Sequence, residues 1–157
     1  MKYLKYYESN KIDDITDLIF IELNDLGFKS IVSYNPVTGV GNPIKNNKGK
    51  KCKFELAFYE VGDSGFSING DNVHLFPLEN VIELLKTFVN YCKYYNMDHR
   101  IRIGSETCSF DIQHILQNDS ATIEDITQDT VENIESFYSS KRIVDCNKLR
   151  YVSVQVF

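Results

Sequence analysis

Long apolar runs, a signal-type leader and paired metal ligands are all missing from this chain, and each absence removes a class of function. No apolar run approaches the ~18 residues that a membrane-spanning helix needs, so no spanning segment and no membrane partner are expected. The opening stretch MKYLKYYESNKIDD sets a charged or polar residue every few positions. It has neither an apolar h-region nor a small-residue cleavage site, which predicts no signal peptide and a cytoplasmic setting. The four cysteines, Cys52, Cys92, Cys108 and Cys146, contain no Cys-x-x-Cys, and the three histidines, His74, His99 and His114, contain no His-x-x-x-His or His-Glu-x-x-His. The thiols are therefore read as reduced, and neither a metal nor any other cofactor is expected. No internal repeat is present.

The remaining composition is that of a folded domain. A hydrophobic share of 43% and a charged share of 25% argue against general disorder, and 157 residues suit one core. Charge is unevenly placed. Residues 1–102 carry 13 Lys/Arg and 13 Asp/Glu, whereas residues 103–140 hold Glu106, Asp111, Asp119, Glu124, Asp125, Asp129, Glu132 and Glu135 with no Lys or Arg. Positive charge returns with Lys141, Arg142, Lys148 and Arg150 against Asp145, and a second concentration, Lys45, Lys48, Lys50, Lys51 and Lys53, occupies one short stretch. A basic loop and an acidic segment, distinct in sequence, follow from this pattern.

Periodicity gives the elements. Tyr3–Tyr7, aromatic and alternating with Lys, predicts a first strand. Ile12, Ile15, Leu18, Ile19, Leu23 and Leu26 recur at helical spacing, Asp13, Asp14 and Asp17 lie in the first turns, and Gly27 stops a helix over Asp13–Leu26. Phe28–Tyr34 and Lys53–Tyr59 alternate as strands, separated by a loop with two prolines and three glycines. Phe66–Ile68 and Val73–Leu75 flank a hairpin turn at Asn69-Gly70-Asp71-Asn72. Pro77 opens a second helix that runs to about Asn96, and His99–Ile103 is a strand ended by Gly104. Ser109–Gln117 is ambiguous between strand and helix. Thr122–Tyr138 is a helix whose start, Thr122-x-x-Asp125, resembles a capping box, and Tyr151–Phe157 alternates valines as a closing strand. The expected architecture is an α+β two-layer sandwich in one domain, 1–157, with a ferredoxin-like βαββαβ core over 1–103 and an acidic helix-and-strand extension over 104–157.

The candidate sites are weighed against plainer readings. Gly62-Asp63-Ser64-Gly65 has the letters that surround the reactive serine of chymotrypsin-like proteases, but all three histidines follow Ser64 and the chain is too short for two barrels. The composition is that of a tight turn between two strands. In the loop TGVGNPIKNNKGKKCK, Gly41 and Gly49 are eight apart and Lys50 precedes Lys51 instead of Ser or Thr, so it is no Walker loop. It reads as a solvated hairpin, with contact to a nucleotide, nucleic acid or acidic protein as its functional reading. No ribonucleoprotein-type strand motif accompanies it and the net charge of −5 opposes a polyanion, so nucleic acid is not the expected partner. His99, between Asp98 and Arg100, is the histidine whose neighbours best suit tuning.

No catalytic set survives, which leaves a small binding or interaction protein acting by surface complementarity. Its expected contacts are the basic loop, through Lys45, Lys48, Lys50, Lys51 and Lys53, and the acidic face, through Asp119, Glu124, Asp125, Asp129, Glu132 and Glu135. Abundant Asn, Lys, Ile and Tyr suit an AT-rich bacterium or its phage, so a phage-encoded modulator of a host protein is the expected setting. The alternatives are a nucleotide or nucleic-acid binder using the lysine loop, and a small enzyme in which a pocket gathers His99 or His74 with a carboxylate. A homodimer through the last strand is expected if that strand lies at a sheet edge.

Overall fold

The computed structural model describes residues 2–105, 108–137 and 145–157, and of residues 2–10, 64 and 133–137 the backbone course alone. Helix α1 spans Lys2–Asp25 and ends at Gly27, whose φ of +83° supplies the left-handed stop. It takes in Tyr3–Tyr7, so the strand expected there does not form. Ile12, Ile15, Ile19 and Leu23 supply the helix's buried stripe. A helix already formed over Ile12–Leu23 propagates by one hydrogen bond for each residue added, which outweighs the short alternation of tyrosine and lysine.

Strand β1 (Phe28–Tyr34) follows, then the loop to Lys53 and strand β2 (Phe54–Ile68). Strand β3 (Asp71–His74) folds back on β2, with Ile68 opposite Asp71 and both Asn69 and Gly70 at positive φ, the two-residue turn that the Asn-Gly pair favours. Pro77 precedes a 3₁₀ turn, Leu78–Asn80, before helix α2 (Ile82–Tyr94). Strand β4 (His99–Gly104) is followed by strand β5 (Ser109–Asp111) and helix α3 (Gln113–Leu116), which resolves the ambiguous segment into one of each. Helix α4 (Ile123–Phe137) and strand β6 (Tyr151–Val156) complete the chain; Tyr138, Lys141 and Arg142 lie outside the described residues.

The sheet runs in the order β1-β2-β6-β4-β5, antiparallel at every step, with β3 on the far half of β2. The α+β class holds, but the course departs from a ferredoxin-like core. That arrangement opens with a strand before α1, where the described residues are helical from Lys2 onward. Strand β6 is the centre of the sheet instead of an extension. Val154 pairs with Leu56 on one side and Ile101 on the other, so its backbone groups are occupied by β2 and β4 and the expected dimer through this strand has no edge to use.

One face of the sheet carries the core. Phe54, Leu56, Phe58, Ile101, Ile103, Val152 and Val154 form a single apolar cluster with Ile15 and Ile19 of α1, Leu85, Phe88 and Val89 of α2, Leu116 of α3 and Ile126 of α4. Burying each large side chain contributes about 1.5–3 kcal/mol before conformational entropy is subtracted. The opposite face is polar. There Glu55 Oε1 accepts from Ser153 Oγ at 2.8 Å and Gln155 Nε2 at 2.7 Å, while Arg100 Nε donates to Gln155 Oε1 at 2.7 Å.

The Gly62–Gly65 stretch joins no separate strands. It is an irregularity inside β2, where both Val61 and Phe66 stand opposite Val73. Gly65 has φ +79°, and a Cβ on Gly62 would lie 2.3 Å from the Cβ of His74 across the ladder. Backbone geometry therefore accounts for both glycines of the protease-like letters. Gly65→Ala is expected to cost about 1–2 kcal/mol, and Gly62→Ala also destabilises. Gly39→Ala, where no atom lies within 4 Å of a Cβ, is expected to be neutral or slightly stabilising. Urea denaturation of the three variants measures this.

Candidate functional site

The lysine loop is a built structure. Val37 bridges to Pro43 and Lys45 to Lys51, so the segment between β1 and β2 forms two small successive hairpins. Asn46 shapes the second: its Oδ1 accepts from the backbone N–H of Lys48 at 3.0 Å and of Lys50 at 2.9 Å, with Gly49 at φ +77°. The tip is then moored. Lys48 Nζ lies 3.0 Å from Asp98 Oδ1 and Lys50 Nζ 2.5 Å from Asp98 Oδ2, and the two ammonium groups hold the Asp98 carboxyl below its ordinary value. Lys45, Lys51 and Lys53 are exposed, with Lys45 and Lys51 facing each other across their bridge. Lys48 and Lys50 are thus committed to the domain itself.

Beside this anchor, where β5 has not yet joined β4, a cleft of about 440 Å³ opens between the hairpin tip, the end of α2 and α3. His99 lies in its wall. His99 Nδ1 donates to the Met97 carbonyl at 3.1 Å, and Nε2 accepts from the Gln117 amide at 3.2 Å, a pattern that only the neutral ring satisfies. Burial against Phe88, edge to face at 5.9 Å, lowers the His99 pKa in agreement with that pattern. Asp98 and Asp111 share the cleft, so it gathers a histidine with two carboxylates. Neither ring nitrogen reaches a carboxylate, however, since Asp98 is held by lysines and Asp111 pairs with Arg102 at 3.1 Å. Among the described residues His99 joins no base–nucleophile relay. His74 is exposed on β3, and His114 is 3.1 Å from Asp129 on the surface.

The acidic residues divide. Asp125 caps α4, accepting from the Thr122 N–H at 2.8 Å while its own N–H donates to Thr122 Oγ1 at 3.3 Å, as the capping-box spacing predicts. Asp129 meets His114, and Asp119 accepts from Asn90 Nδ2 at 3.1 Å. Glu124 and Glu132 face elsewhere, into a groove of about 950 Å³ between α2 and α4. Glu135 lies outside the described side chains. Glu79 and Glu83 complete the opposite rim. Among the described residues lining this groove, four carboxylates face one cation, Lys86, which lies 3.3 Å from Glu83. Its floor is apolar: Ile82, Ala121, Ile123 and Val131.

Sequence reasoning missed Glu79 and Glu83 because they precede the acidic segment. Their i, i+4 spacing beside Ile82 was the available signal. Among the described residues no group of three or more His, Cys, Asp or Glu is placed to hold a metal ion. Cys52, Cys92 and Cys146 are buried free thiols, and burial pushes Cys92 up to about 12, far from a reactive thiolate. No helix of the described residues is long and apolar enough to cross a membrane. No protein-family model, curated protein or solved structure matches the chain.

The neutral His99 has a consequence for stability. Its pKa in the fold is below the ordinary value of 6.5, so the unfolded chain binds the proton first as pH falls. Stability is therefore lost as pH drops through 6.5 towards the lowered value, below which the loss levels off. Melting temperatures taken between about pH 7.5 and 5.5 are expected to fall more steeply for the wild type than for His99→Gln.

Proposed function

We propose that this protein binds a partner protein by surface complementarity, through the groove between α2 and α4. The observation that supports this is the pairing of an apolar floor with a one-sided rim: Ile82, Ala121, Ile123 and Val131 below, Glu79, Glu83, Glu124 and Glu132 at the edges. Such a groove suits a basic amphipathic helix. Apolar side chains at i, i+3, i+4 and i+7 would enter the floor while flanking lysines or arginines meet the carboxylates. The rim accelerates encounter and sets orientation, and the floor supplies the slow dissociation that apolar burial gives. The Asn-, Lys-, Ile- and Tyr-rich composition supports a setting in which a phage-encoded chain modulates a host protein by occupying such a helix.

The basic loop contributes less to this reading than the acidic face, because Lys48 and Lys50 already neutralise Asp98. A labelled amphipathic helix of Leu and Lys, about five turns long, tests it by fluorescence anisotropy. Saturable binding that weakens with added salt is expected. Glu124→Lys with Glu132→Lys is expected to weaken it by at least about tenfold, and Lys50→Glu with Lys51→Glu to leave it intact. Equal binding by the Glu124→Lys, Glu132→Lys protein sinks the proposal.

A further inference from the structure

The cleft at the start of β4 is untouched by the groove reading and has a different chemistry. Its carboxylates are already matched: Asp98 by Lys48 and Lys50, Asp111 by Arg102. Two further cations in its wall, Lys93 and Arg100, meet no carboxylate among the described residues. Lys93 Nζ donates to the Gln117 carbonyl at 2.7 Å, and Arg100 uses Nε on Gln155. Each keeps N–H donors and a full charge, so the cleft is electropositive although the chain as a whole carries −5.

Carboxamides crowd the same space. Asn46, Asn47, Asn96, Gln113 and Gln117 all line it. Asn46 and Gln113 give their oxygens to backbone N–H groups, Gln113 Oε1 to Ile101 at 3.1 Å, which leaves their amide donors. Asn47 and Asn96 make no side-chain hydrogen bond to another described residue and offer donor and acceptor side by side, the arrangement that pairs with the edge of a heterocyclic base. His99 Nε2 adds an acceptor with a replaceable partner, Gln117, and Met97 adds an apolar wall.

A simple anion would use only the cations, and about 440 Å³ is far more room than inorganic phosphate fills. A polymer would meet the net negative charge of the chain. We infer that the β4 cleft binds a mononucleotide, its phosphate among Lys93, Arg100 and Lys48 and its base edge against the Asn47 and Asn96 carboxamides. The ligand's hydroxyl or N–H donors reach His99 Nε2 by displacing the Gln117 amide.

Amide and side-chain NMR spectra during titration with AMP, UMP and inorganic phosphate test this. Saturable shift changes at Asn47, Lys93, His99 and Gln117 are expected with at least one nucleotide, at an affinity at least about tenfold above that for phosphate. Lys93→Gln and Asn47→Ala, checked for wild-type spectral dispersion, are each expected to weaken nucleotide binding by at least about fivefold. The inference is overturned by an absence of shifts, by shifts confined to another face, or by phosphate reproducing the pattern with equal affinity. It is equally overturned if both folded variants bind as the wild type does.

Discussion

The C-terminal strand lying between β2 and β4 is the constraint on which the rest of the molecule depends. Strand β6 lies about 100 residues from β2 in sequence, yet Val154 must sit between Leu56 and Ile101 before either neighbour has its second hydrogen-bonded side. The core face of the sheet is continuous only when Val152, Val154 and Val156 fill its middle. Polar groups obey the same constraint: Gln155 takes Arg100 from one side and gives to Glu55 on the other, so the polar face closes across β6 as well. Contacts of this sequence separation make the fold slow to nucleate and cooperative once formed.

Both candidate sites are consequences of where that central strand leaves its neighbours. Strand β4 pairs fully with β6, but β5 covers only Arg102–Gly104 on the other side, so the first half of β4 stays open and becomes the wall of a cleft. Gln113 satisfies the Ile101 N–H that β5 does not reach there, and the lysine hairpin docks on Asp98 at the same corner. On the helical side, α4 returns over the core through Ile126 and leaves a trough along α2 whose edges are carboxylates. One site is thus electropositive and amide-lined, the other acidic with an apolar floor.

What was legible in the sequence was local. The apolar stripe and glycine stop of α1, the alternation of β1, β4 and β6, the Asn69-Gly70 turn and the Thr122/Asp125 cap all follow from side-chain spacing within a few residues, where geometry leaves few options. Strand order was not legible, because an alternating segment such as Tyr151–Val156 reads alike at an edge and at the centre. The Gly62–Gly65 letters misled for a related reason: a turn and a bulge ask for the same glycines, and only the register against β3 tells them apart. Charge runs hid most. Six acids of one segment look like a single face, but Asp119 and Asp129 are drawn to neighbours fixed by tertiary structure and Asp125 to the cap at Thr122, while Glu79 and Glu83 arrive at the groove from another element.

Hydrogen–deuterium exchange on the protein with and without the basic amphipathic helix tests most directly where binding takes place. The account predicts slowed exchange in the segments that form the groove, residues 79–86 and 120–132, with the lysine loop and the open sheet face unchanged. Protection confined to residues 45–53 or to the polar face of the sheet would contradict it.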